Sequence, residues 1–139
     1  MSSFKVFDIA GSGLSAQSVR LNTVASNLAN ADSVSGDPAT VYRARHPVFE
    51  AVRANLAAQL QDGNAAVRVK GIVESTAEPT ARYEPGNPLA NAEGYVYAPS
   101  VNVIEEMVDM ISASRAYQNN VEVMNTSKEL MLATLKLGQ

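Results

Sequence analysis

NVIEEMVDMISASRAYQNNVEVMNTSKELMLATLKL, residues 102–137, decides how the rest of the sequence is read. The stretch holds no proline and predicts one uninterrupted helix. Val103, Met110, Tyr117, Met124 and Met131 recur every seven residues, and Met107, Val121 and Leu135 lie one turn further along in their heptads. Ile104, Val108, Ile111 and Leu132 widen the apolar stripe. A strict heptad drifts by roughly 20° per repeat on a straight helix, so a partner that follows the seam must wind around it, as in a coiled coil.

The ends of this helix are marked. Pro99 and Ser100 interrupt what precedes, Asn102 is placed to cap the first turn, and Glu105 is placed to reach back to it as in a capping box. Glu105, Glu106 and Asp109 put negative charge at the positive end of the helix dipole; Lys128 and Lys136 put positive charge near the other end, before Gly138. A helix of this length is a rod of roughly 50 Å, whereas a compact domain of the chain's size is about 37 Å across. The expectation is an elongated molecule with a second helix lying along this one.

That second helix is at the other end of the chain. Over residues 4–30, Phe7, Leu14, Leu21 and Leu28 fall on one seven-residue column, with Val24 and Ala25 on the same side. Gly11 and Gly13 each weaken a helix by about 1 kcal/mol relative to Ala, which predicts a thin, bendable start. Matching heptads at the two termini predict that they pair, within one chain or between subunits. Residues 31–100 are of another kind. Val41 to Val52 reads as an extended segment along the helices, and Ala51 to Gln61 as a short helix or loop before the Asp62-Gly63-Asn64 turn. Val67 to Lys70 and Ile72 to Glu74 alternate like a strand kinked at Gly71, and Ala81 to Glu84 and Tyr95 to Tyr97 are short strand candidates. The fold class expected is mainly α: one elongated domain, residues 1–139, in which N- and C-terminal helices form a coiled-coil-like pair with a small antiparallel β patch and loops between them.

Composition narrows the function classes. The 139 residues are 46% hydrophobic but only 6% aromatic, without tryptophan, and the formal net charge is -3. No basic cluster stands ready for phosphates, which argues against nucleic acid as a partner. No window is long and apolar enough to span a membrane, and the N-terminus lacks the charged region and apolar core of a cleaved signal. Cysteine is absent, so disulfides, thiol catalysis and thiolate metal sites are excluded. His46 is the sole histidine, with no acids at metal spacing, and Gly11-Ser12-Gly13 lacks the rest of a phosphate loop. The pattern calls for no catalytic residue, metal or cofactor.

Asparagine is the polar signal that helix propensity does not explain. Asn27 and Asn30 share a face at the end of the first helix, and Asn119, Asn120 and Asn125 interrupt the last one. Asn120 lies beside the apolar columns, where a buried amide costs stability but fixes register.

Three stretches carry a resemblance. Val24-Ala25-Ser26-Asn27-Leu28-Ala29-Asn30-Ala31 is similar to the N-terminal signature of the bacterial flagellar rod, hook and hook-associated proteins. Ser112 to Glu122, continuing to Leu137, is similar to their C-terminal helix. Gly94 to Asn102, followed by Val103 to Met110, resembles the junction found in the short proximal rod subunits of that family. The resemblance implies a structural subunit of the periplasmic rod, exported through the flagellar type III apparatus without a cleaved signal. Its implied partners are copies of itself and other rod subunits of the FlgB, FlgF, FlgG and FliE types. The implied assembly interface is the two heptad seams: Phe7, Leu14, Leu21 and Leu28 with Asn27 and Asn30 in the first helix, and the Val103 and Met107 columns with Asn120 in the last. Two other readings are a soluble helical adaptor or chaperone-like module that uses the C-terminal seam, and an enzyme built on Glu105, Glu106 and Asp109. The second lacks any accompanying nucleophile or base.

Overall fold

The structure is a computed structural model that describes residues 3–52 and 65–137. Six elements follow in order: helix α1 (Ser3–Ala29), strands β1 (Arg45–Val52), β2 (Ala66–Glu74), β3 (Thr80–Tyr83) and β4 (Tyr95–Ala98), and helix α2 (Val103–Leu137). α2 runs unbroken for 35 residues, about 52 Å at the α-helical rise. Asn102 caps it, its Oδ1 accepting from Ile104 N–H at 3.1 Å and more loosely from Glu105 N–H at 3.4 Å. The return bond of a capping box is absent among the described residues, and Glu105 is exposed.

The two helices lie antiparallel. Asn27 meets Glu106, Arg20 meets Asp109, and Gly13 meets Asn120, so positions fall along α1 as they rise along α2. Extending that register brings Ser3 level with Leu130, and the last two turns of α2 continue past the first described residue of α1. α1 is helical throughout and does not loosen at Gly11 and Gly13. A Cβ on Gly13 would stand 2.9 Å from Asn120 Nδ2, so the glycine gives up helix propensity to let the amide approach the α1 backbone.

The β structure forms two separate ribbons instead of one patch. β1 and β2 pair antiparallel from Arg45↔Glu74 to Val52↔Ala66, with a bulge where Val48↔Gly71 gives way to Phe49↔Val69 and Lys70 is left without an opposite. The kink expected at Gly71 is this bulge. Ion pairs across the ribbon join Arg45 to Glu74, at 3.0 Å, and Arg68 to Glu50. The ribbon docks on α1, where Ser12 Oγ accepts from Val67 N–H at 3.0 Å and donates to Ile9 O at 2.7 Å. Of the expected short helix or loop over Ala51 to Gln61, the first two residues end β1 and the remainder lies outside the described residues.

β3 and β4 form the second ribbon, from Thr80↔Ala98 to Tyr83↔Tyr95. Its loop is held by Asn91 Oδ1, which accepts from the N–H groups of Glu93 and Tyr95. Gly94 adopts a positive φ of 81°, and any Cβ there would press on the Tyr83 ring at 3.0 Å. β4 passes through the core. Val96 is fully buried and Ala98 nearly so, packed in a small core with Val24, Val41, Ala44 and Ala113. Ser35 exchanges two backbone bonds with Tyr97, tying the turn after α1 to the strand before α2.

Candidate assembly interface

The contact between the termini is built around Asn27. It sits at the last turn of α1 with 0% exposure, and its amide makes four hydrogen bonds. Nδ2 donates to Arg45 O at 2.9 Å and to Glu106 Oε1 at 3.0 Å. Oδ1 accepts from Tyr42 O–H at 2.8 Å and from Arg45 N–H at 2.9 Å. A side-chain amide offers two donor hydrogens and two acceptor lone pairs, so this one is fully used. It joins α1, the start of β1, and α2 in a single residue. Asn30, four positions from Ser26, instead serves its own helix end by donating to Ser26 O at 2.8 Å.

Glu106 is 5% exposed and projects toward α1, so its role exceeds charge at a helix start. Oε1 accepts from Asn27, while Oε2 is buried without a protein donor. One turn along, Asp109 Oδ1 takes a 2.6 Å ion pair from Arg20 Nη2, half shielded from solvent. Two of the three acids at the head of α2 are thus committed to holding the subunit together. Among the described residues no group of three or more His, Cys, Asp or Glu side chains stands together, and His46 is exposed on β1 opposite Val73. No described helix is long and apolar enough to cross a membrane.

The column of α2 facing α1 is Glu106, Ala113, Asn120 and Ser127, at seven-residue spacing, flanked by Met110, Met124 and Met131. Asn120 does not pair with another amide. Its Nδ2 donates to Ala116 O at 2.9 Å, and its bulk against Gly13 sets the register. Phe7, Leu14, Leu21 and Leu28 of α1 are half-buried, while Val103, Tyr117 and Val121 lie exposed at the edge of the seam. Met107 and Leu135 are exposed, and so are Ile104, Val108 and Ile111, which the heptad reading placed in the same stripe. The structure therefore turns the expected interface residues in two directions. Asn27, Asn120, Met110 and Met124 belong to the contact between the chain's own helices; Met107, Leu135 and their neighbours point away from it.

Sequence reasoning passed over Ala113, Ser127 and Glu106 as seam residues because their types are small or polar. Their signal was the seven-residue spacing with Asn120, one position before the column of large apolar residues. Tyr42 gave no signal, since its partner Asn27 is fifteen residues away in a loop-to-helix contact.

Ile104, Met107, Val108 and Ile111 follow the i, i+3, i+4, i+7 rule of an amphipathic face, and they lie on the side of α2 opposite Glu106 and Ala113. Ile104 is 72% exposed and Ile111 54%. A helix that already has one partner thus presents a second apolar face.

Comparison with known proteins places this arrangement. Residues 7–36 match the family model described as flagella basal body rod protein, and residues 92–137 match the one described as flagellar basal body rod FlgEFG protein C-terminal. Over its whole length the chain is 55% identical to the flagellar basal-body rod protein FlgC of Yersinia enterocolitica, and the alignment covers all of both chains. It is 53% identical to that of Salmonella typhimurium and 35% identical to that of Bacillus subtilis, again with full coverage of each.

Proposed function

This chain belongs to the FlgC family of flagellar basal-body rod proteins, and on that premise we propose that it builds the rod through the surface its own fold leaves uncovered. It is a structural subunit of the flagellar basal body. Its role is mechanical, and its terminal helices form the layer through which neighbouring subunits grip one another along the shaft.

The observation that carries this reading is the second apolar face of α2. Burying an aliphatic side chain stabilises by about 1.5–3 kcal/mol, and Ile104, Met107, Val108 and Ile111 realise none of that within the subunit. A contact between unlike surfaces of successive subunits that does not close on itself generates a helical filament, the geometry of a shaft. The neighbours proposed are copies of the chain and rod subunits of the FlgB, FlgF, FlgG and FliE types. The proposed location is the periplasmic rod, reached through the flagellar type III export apparatus without signal cleavage.

The test is complementation. A strain that lacks the chain is expected to be non-motile, with basal bodies that stop short of a complete rod, and the intact chain restores both. Motile cells with full-length rods in its absence would overturn the reading.

A further inference from the structure

The two ends of α2 are chemically complementary, and this identifies what covers the exposed face. At the head, Ile104, Met107, Val108 and Ile111 form the outward patch, bordered by the exposed carboxylate of Glu105. At the tail, beyond the reach of α1, Leu132, Leu135 and Leu137 are exposed, with Leu135 at 69%, and Lys128 and Lys136 stand exposed beside them. Asp109, the other acid near the patch, is already paired with Arg20, so Glu105 is the carboxylate that the head offers to a neighbour. One end is apolar with negative charge, the other apolar with positive charge.

Resting on the rod reading, we infer that the outward patch at the head of α2 is the seat for the C-terminal tail of an α2-type helix from the adjacent rod subunit. The two patches are commensurate. Ile104 and Leu132 are four heptads apart, as are Met107 and Leu135, so a parallel neighbour displaced by four heptads sets Leu132 beside Ile104 and Leu135 beside Met107. That displacement is about 42 Å along the helix. It brings the positive N-terminal end of one dipole near the negative C-terminal end of the next, and Lys136 near Glu105. The partner need not be a copy of this chain, because the segment containing the tail, residues 92–137, matches a C-terminal model shared by FlgE, FlgF and FlgG proteins. A tail of that plan, leucines with flanking lysines, is the occupant.

The experiment is photocrosslinking in assembled particles. Benzoylphenylalanine is placed at Ile104 or Ile111, both exposed enough to accept it without disturbing the α1 contact; basal bodies are isolated and irradiated, and the joined peptides are identified by mass spectrometry. The expected adduct is the C-terminal helical tail of a rod subunit, whether this chain or a relative. Adducts confined to N-terminal helices or β ribbons would overturn the inference, as would none in particles that contain the chain. Particles that never contain the chain would instead remove the rod reading, and this inference with it. In parallel, Ile111→Asp is expected to reduce incorporation at least tenfold while Ile111→Leu retains it, both with the unfolding midpoint of the intact chain. Equal incorporation of the two would also overturn the inference.

Discussion

The two faces of α2 reverse the usual division of labour on an amphipathic helix. The face turned to α1 carries a buried carboxylate, an alanine, an asparagine and a serine, with methionines at its margin. The face turned away carries isoleucine, valine and methionine. In a protein that ends at its own surface, the larger aliphatic residues would be inside. Here the subunit closes on small and hydrogen-bonded groups, which specify one register, and keeps its larger aliphatic residues for contact beyond itself. Geometry is fixed within the chain; adhesion is reserved for neighbours.

Substitutions on the two faces separate these roles. Asn27→Ala removes four hydrogen bonds and strands the Glu106 carboxylate, so it is expected to lower stability by about 3 kcal/mol, read as a fall in the urea midpoint of the purified chain. Gly13→Val drives two methyl groups toward Asn120 and is expected to cost about 1–3 kcal/mol. Combining it with Asn120→Ala should recover part of that loss, and a double-mutant cycle with no coupling would mean that the register is set elsewhere. Asp109→Asn weakens a half-exposed ion pair and is expected to cost less than about 1 kcal/mol, a loss that shrinks further in high salt. Ile111→Asp should change the unfolding free energy by no more than about 0.5 kcal/mol and yet abolish swimming. A stability loss at Ile111 as large as that at Asn27 would erase the distinction between the faces.

Much of the fold was legible beforehand because its signals were local. Asn102 announced the start of the last helix, the heptad of Met110, Met124 and Met131 located one side of its seam, and alternation around Gly71 and between Tyr83 and Tyr95 located the strands. The other side of the seam was not legible. Hydrophobic periodicity weights residues by type, and Glu106, Asn120 and Ser127 carry no apolar weight, so the column was drawn one residue late, through Met107 and Val121. Gly13 was read as a weakness because propensity counts only the helix it belongs to, whereas its value lies in what it admits from the other helix. The family signature around Asn27 could be recognised as a string of residues. That its amide would be spent on Tyr42, Arg45 and Glu106 required three partners brought together in space.

The Asn27 hub has a consequence for the order in which this chain can become a protein. Its bond to Glu106 spans 79 positions, and the neighbouring Arg20–Asp109 pair spans 89. Contacts this distant in sequence give a high contact order, and loop closure must precede any gain from them. A chain made from its N-terminus therefore has no seat for α1 until three quarters of it exists. Before that point the first helix is a segment of 27 residues without a packing surface, held only by marginal local propensity. Completion of the subunit waits for its last third, so any intermediate that carries the chain must hold it open, and truncation anywhere before Glu106 leaves no folded remnant of the terminal pair.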